Sequence, residues 1–266
     1  MVFQLNNDQL KQFYEKCQKD KLIAIDTEFY RVDTYFPKLC LIQLSNSSEC
    51  LFLDPIKQNL DLTYLRKILF NTKITKIFHA ARQDVEIIFN LFKKIPSPIM
   101  DTQICLIALG YPHSTSYAKA CEDFLNISIN KSNQFIDWRK RPLNKKEILY
   151  ALNDVKYLIP LFKKISSKLD DKKKKELKIH YQKITDIKIY KERAKKAWKK
   201  IRFFPKDNLE LSRLKKYSRI RENLAMKKNI PVRRVISDQE IKIISRNTVN
   251  KKIKSDIIKK LDIKNI

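Results

Sequence analysis

An unbroken apolar run, Leu22-Ile23-Ala24-Ile25, leads straight into Asp26-Thr27-Glu28-Phe29. Continuous apolar runs of this length are typical of strands buried on both faces. Side chains alternate across a strand, so Asp26 and Glu28 leave it on the same side. Two carboxylates placed there repel each other unless a cation lies between them. A divalent metal is the economical cation, because Mg²⁺ takes hard oxygen ligands. Without a cation, the same acids are surface charges where a strand meets solvent. The octapeptide alone leaves both readings open.

The neighbouring pattern surrounds this strand with others and with helices. A short helix is expected from Asp8 to Cys17, before the strand. Leu39–Leu44 and Cys50–Leu53 read as the next two strands, the latter ended by Asp54-Pro55, and the three together suggest an antiparallel meander. Leu62–Phe70 has helical periodicity, Ile74–Phe78 reads as a fourth strand ending at His79, and Ala81–Phe92 as a helix with Val85, Ile88, Phe89 and Phe92 on one stripe. Asp101-Thr102-Gln103 opens a helix through Leu109, stopped by Gly110-Tyr111-Pro112, and Ser116–Leu125 forms another. Asn144 with Glu147 three residues on is a capping pair for a helix carrying Ile148, Leu149, Leu152, Val155 and Leu158. Pro160 kinks that helix or begins a new segment. Strands followed by alternating helix and strand argue an α/β sheet with helices packed on it.

Beyond residue 160 the composition changes. Residues 161–200 hold sixteen Lys or Arg against five Asp or Glu, which reads as a solvated, basic helical connector. Trp198 to Asn247 regains apolar periodicity and forms a small helical domain, and the tail from Asn250 is basic, either weakly ordered or a last helix. The expected division is 1–168, 169–197 and 198–266. The whole chain carries a net charge of +28. A polyanion partner follows, nucleic acid being the commonest, although a general compositional bias toward Lys, Ile and Asn inflates charge as well. Charge does not separate RNA from DNA. The five cysteines are scattered with no CxxC pair, which argues against a zinc site or a disulfide framework. No apolar run approaches the ~20 residues that cross a membrane, and the N-terminus has no signal-peptide pattern; a cytoplasmic protein is expected, with no membrane association or evident protein partner, as a monomer.

Two further segments place acids where the first pair could meet them. His79-Ala80-Ala81-Arg82-Gln83-Asp84 puts an acid in the first turn of a helix just after a strand. Tyr150-Ala151-Leu152-Asn153-Asp154 puts a phenol and an acid on one helix face. Asp154 lies among apolar neighbours, which is costly for an unpaired carboxylate, and a metal offsets that cost.

These segments, in this order, resemble the motifs of the ribonuclease D family of 3′-to-5′ exonucleases, within the DEDD superfamily. The resemblance covers most of residues 20–165. It continues through Thr34-Tyr35-Phe36-Pro37-Lys38-Leu39-Cys40-Leu41-Ile42-Gln43, Asp101-Thr102-Gln103 and Asp137-Trp138-Arg139-Lys140-Arg141-Pro142-Leu143. It implies a ribonuclease H-like (DnaQ-like) exonuclease domain, a mixed central sheet flanked by helices. It also implies that Asp26, Glu28, Asp84 and Asp154 hold two Mg²⁺ or Mn²⁺ ions, Asp26 bridging both, with Tyr150 orienting the attacking water. The subclass with His in place of Tyr has it five residues before the last Asp; Leu149 stands there, so the Tyr subclass fits.

Phe29, Tyr35 and Phe36 are candidates to stack on terminal bases, with core packing the competing role for Phe36. Gln83 and Arg141 are candidate substrate contacts. His79 is another, although a structural role at the strand end is preferred; Trp138, with Arg139 and Arg141, caps the sheet or guides the nucleic-acid strand. The C-terminal part resembles an HRDC domain, the small helical module shared with RecQ helicases, through Arg221-Glu222-Asn223-Leu224-Ala225, Asn229, Pro231 and Asp238. The resemblance implies an exoribonuclease releasing 5′-nucleoside monophosphates, with precursor tRNA 3′ ends as substrate. The rival readings are a 3′-to-5′ DNA exonuclease and a catalytically silent RNA-binding scaffold.

Overall fold

The computed structural model describes residues 7–57, 61–129, 136–248 and 250–261. Two compact units result: one contains the chain up to Tyr30 and Leu39–Asp186, the other Arg31–Lys38 and the chain from Ile187.

The first unit is built on a five-stranded sheet. Helix α1 (Asn7–Asp20) precedes β1 (Leu22–Tyr30), followed by β2 (Lys38–Ser45) and β3 (Cys50–Leu53). Helix α2 (Thr63–Phe70), β4 (Thr75–Phe78), α3 (Arg82–Phe92), β5 (Ile99–Asp101) and α4 (Thr102–Ala108) come next. The strand order is β3-β2-β1-β4-β5. β1 pairs parallel with β4, β4 parallel with β5, and β2 antiparallel with β3. The sheet is therefore mixed, with β1 at its centre, as its continuous apolar run requires: Ile23, Ala24 and Ile25 are all but fully buried.

Helices α5 (Tyr117–Leu125), α6 (Lys145–Lys156), α7 (Leu158–Ser166) and α8 (Asp171–Thr185) complete this unit. The Asn144–Glu147 capping box starts α6 as expected. Pro160 falls in the first turn of α7, where its missing N–H has no helical partner to lose. That helix buries Leu158, Ile159, Leu161 and Ile165 in a core with Ala24, Ile77 and Cys105. Leu161 and Ile165 are thus core, while Lys163 and Lys164 on the same helix stay exposed. The basic helix α8 also carries an inward stripe. Leu177 is buried, and the Tyr181 hydroxyl accepts from the Asp101 amide at 3.3 Å and lies 3.2 Å from Cys105 Sγ.

Two polar clamps fix the sheet ends. The buried Lys76 ammonium donates to the carbonyls of Asn71, Ile74 and Ser97 at 2.6–2.8 Å, tying β4 to the loop entering β5. Arg141 donates to Asp54 with Nε and Nη2, to Trp138 and Lys140 carbonyls with Nη1, and to the Cys40 carbonyl with Nη2. All five guanidinium donors are then used. Arg141, expected at the substrate, instead locks the 137–142 loop to β2 and to the residue that ends β3.

The second unit is helical among the described residues. It has α9 (Ile187–Lys191), α10 (Arg193–Lys196), a 3₁₀ turn at Ala197–Lys200, α11 (Asn208–Lys228), α12 (Val232–Val235), α13 (Asp238–Arg246) and α14 (Lys251–Lys260). Its core gathers Ile201, Leu214, Tyr217, Leu224, Ile236, Ile241, Ile244, Ile257 and Leu261. The connection from β1 to β2, expected as a short meander turn, belongs to this unit. Tyr35 explains why. It is 7% exposed and donates its hydroxyl to the buried Glu222 at 2.6 Å, while the Phe36 amide donates to Asn229. Tyr35 is therefore an anchor in the helical unit, not an exposed stacking surface. Phe36 packs edge-on against it at 4.8 Å.

Candidate active site

Asp26 and Glu28 leave the end of β1 on one side, and Asp154 reaches the same point from α6. One carboxylate oxygen from each lies within 4.8 Å of the other two. Asp84 enters from the first turn of α3, buried, and accepts a hydrogen bond of 2.5 Å from Thr27 Oγ1. Thr27 is buried on the strand between the two acids, so the middle residue of Asp-Thr-Glu fixes the second segment's carboxylate.

The turn that delivers Asp84 is held by another acid. Ala80 sits at φ +61°, a left-handed conformation unfavourable for a residue with a Cβ. The buried Asp101 carboxylate accepts from the amides of Ala80 and Ala81 at 3.0 and 2.8 Å, and from Gln103 at 2.9 Å as the cap of α4. His79 closes the same corner. Its Nε2 donates to the Thr115 carbonyl at 3.0 Å, and its Nδ1 lies 2.8 Å from Thr102 Oγ1. A carbonyl can only accept, so in the neutral ring the proton resides on Nε2, and the Thr102 hydroxyl, which donates to the Phe78 carbonyl at 3.2 Å, lies against Nδ1. Burial holds the ring's pKa below its ordinary value, which favours this neutral form. With both nitrogens engaged, His79 has no group left for a substrate. Gln83 is exposed on the first turn of α3, and Phe29 is half-buried near the end of β1.

Electrostatics set the site apart. Among the described residues, no Lys or Arg pairs with any of the four acids. Burial pushes Asp26 up to about 7. Glu28 rises to about 9, through burial first and then the charges of Asp26, Asp154 and Asp84. Asp154 rises to about 8 through burial and Asp26, and Asp84 stands well above the usual carboxylate range for the same two reasons. Tyr150, one turn before Asp154, is also raised, by burial and then by Asp154, Glu28 and Asp26. Its ring packs 6.2 Å from the buried Trp138. Leu149 points away and is 43% exposed. Asp26, Glu28 and Asp154, converging without a basic partner and with the charge of Asp84 acting on Glu28, offer hard oxygens that fit divalent cations of the Mg²⁺ or Mn²⁺ kind.

A family model described as 3′-5′ exonuclease matches residues 1–170. The chain belongs to that family. It is 37% identical over 234 residues to a ribonuclease D from Sphingobium indicum, a match covering 87% of this chain and 60% of that protein. With a ribonuclease D from Bartonella henselae it shares 39% over 218 residues, covering 82% and 54%. The chain thus spans a little over half the length of these curated relatives. The crystal structure of Escherichia coli RNase D, described as an exoribonuclease involved in structured RNA processing, superposes with a TM-score of 0.75 at 27% identity, covering 96% of this chain and 68% of that one. The sheet and its flanking helices therefore form the ribonuclease H-like exonuclease fold.

Sequence reasoning alone gives Thr27 no role and Asp101 only the opening of a helix and a place in the family resemblance. Thr27 carried no signal beyond its place between two acids. Asp101 did carry one: it opens a helix as an Asp N-cap, and its spare oxygen reaches the turn before Asp84.

Proposed function

We propose that this member of the exonuclease family is a metal-dependent 3′-to-5′ exoribonuclease that releases 5′-nucleoside monophosphates from RNA ends, precursor tRNA among them. The observation that carries the reading is the convergence of Asp26, Glu28 and Asp154, with Asp84 acting on Glu28 as a further charge and no cationic partner among the described residues. Asp26, Glu28, Asp84 and Asp154 are the residues that would hold two divalent ions, Mg²⁺ or Mn²⁺. When bound, such ions supply Lewis acidity at the scissile phosphodiester.

The chain's own residues do the rest. Thr27 holds the Asp84 carboxylate by a hydrogen bond. Tyr150 retains its proton at neutral pH and holds the attacking water in line by hydrogen bonding. Trp138 backs the phenol ring, and Asp101 and His79 hold the corner that carries α3. The unit that ends at Asp186 serves as the exonuclease domain, and the unit from Ile187 as an HRDC-like helical module that adds phosphate contacts. A monomer working in the cytoplasm, without a protein partner, suits these parts.

The test is a 5′-labelled single-stranded RNA beside its DNA equivalent, both with Mg²⁺. A ladder shortening one nucleotide at a time from the 3′ end, faster on RNA and lost on Asp26→Asn, is the expected result. Faster loss of DNA, or hydrolysis by Asp26→Asn at the wild-type rate, would overturn the reading.

A further inference from the structure

The helical unit contains a cleft of about 340 Å³ whose lining includes none of the four acids. Its walls are Arg202, Phe203 and Phe204 from the segment before α11, and Gln239, Lys242, Ile243 and Arg246 from α13, with Thr248 at the end. The α13 residues fall at i, i+3, i+4 and i+7, so one helix face lines the cleft. That face is cationic and amide-bearing, whereas the opposite face buries Ile241 and Ile244.

Two features make this more than a solvated basic surface. Phe204 is 91% exposed, although the unit has a core into which an aromatic ring could pack. Its neighbour Phe203 is half-buried, with the Arg246 guanidinium 5.1 Å from its ring centroid. Around the rings stand Arg202, Lys242 and Arg246, and among the described residues no acid lines the cleft. Among the described residues, Arg202 and Lys242 have no ion pair or hydrogen bond. The acids of α13 are engaged elsewhere: Asp238 with Arg221, and Glu240 with Lys260.

We infer that this cleft binds a nucleotide of single-stranded RNA, its base stacked on Phe204 and its flanking phosphates held by Arg202, Lys242 and Arg246. The volume matches the lower end of ligand pockets. An exposed ring takes any unpaired base, because every base presents a π face, and the surrounding cations take the backbone. Gln239 is placed to bond a base edge or a sugar hydroxyl. The choice of RNA rests on the exonuclease reading above. The cleft itself is tested without hydrolysis.

Fluorescence anisotropy of the full chain with a labelled single-stranded oligoadenylate, in EDTA, reads the site whether or not RNA is degraded. Phe204→Ala is expected to weaken binding about ten-fold, and Phe204→Trp to retain it. Duplex RNA, with its bases already stacked, is expected to lose little, and a single-stranded oligodeoxyadenylate to lose as much as the RNA. Arg202→Gln with Lys242→Gln is expected to flatten the salt dependence by about 0.7 per lost phosphate contact. Unchanged affinity in Phe204→Ala, or an equal loss for duplex and single strand, would overturn the inference. Failure of the wild type to hydrolyse RNA would overturn the exonuclease reading and leave the binding result standing.

Discussion

Tyr150 is protonated at neutral pH as any phenol is, and its surroundings reinforce this: a partly buried ring beside three carboxylates disfavours a phenolate. Tyr150→Phe removes the hydroxyl and little else, so kcat should fall about 100-fold, the scale of a misplaced reactant. Affinity for RNA in EDTA should hold, and single-turnover kinetics against equilibrium binding would separate the two. The acids predict a second effect, on stability. Their folded pKa values, about 7, 8 and 9 for Asp26, Asp154 and Glu28, stand above ordinary unfolded carboxylates. The folded protein therefore binds more protons, so the metal-free chain should lose stability as pH rises from about 5 to 9. Thermal melts in EDTA should show Tm falling across that window. Asp26→Asn with Glu28→Gln should flatten the fall, and Mg²⁺ should raise Tm more at pH 8 than at pH 6. A wild-type profile no steeper than the double variant's would contradict this picture. In the helical unit, Tyr35→Phe leaves the buried Glu222 with Lys200 as its remaining partner. That loss should cost about 1–3 kcal/mol in chemical denaturation.

At the scale of elements, the corner between β4 and α3 shows how a site is held by residues outside it. Asp101 satisfies three amides, one of them on the left-handed Ala80. Asp101→Ala should destabilise the first unit by about 3 kcal/mol, since buried donors would lose a charged acceptor, and should reduce turnover by shifting Asp84. A variant with wild-type melting and turnover would show that the turn holds itself. The central strand was legible because burial on both faces demands an unbroken apolar run. Helix α6 was legible because its capping box is local. The three-residue strand β5 was not, being too short for any period. Nor was the inward face of α8, where Lys172–Lys175 overwhelm the stripe of Leu177 and Tyr181. Arg141 and Tyr35 misled for one reason: a lone cation or ring in a basic, aromatic-bearing chain carries no address. Only the fold shows that Asp54 and Glu222 claim them.

For the molecule as a whole, a net charge of +28 draws polyanions without choosing among them. Choice comes from the acid cluster, which gathers negative charge inside a basic chain, and from the aromatic cleft on α13. Affinity for RNA should accordingly fall steeply with salt. No helix among the described residues is long and apolar enough to cross a membrane. The most direct test of the central claim is anomalous scattering from a crystal soaked in Mn²⁺. The account predicts two peaks enclosed by the carboxylates of Asp26, Glu28, Asp84 and Asp154. Mn²⁺ bound elsewhere, with no peak among those four acids, would contradict it.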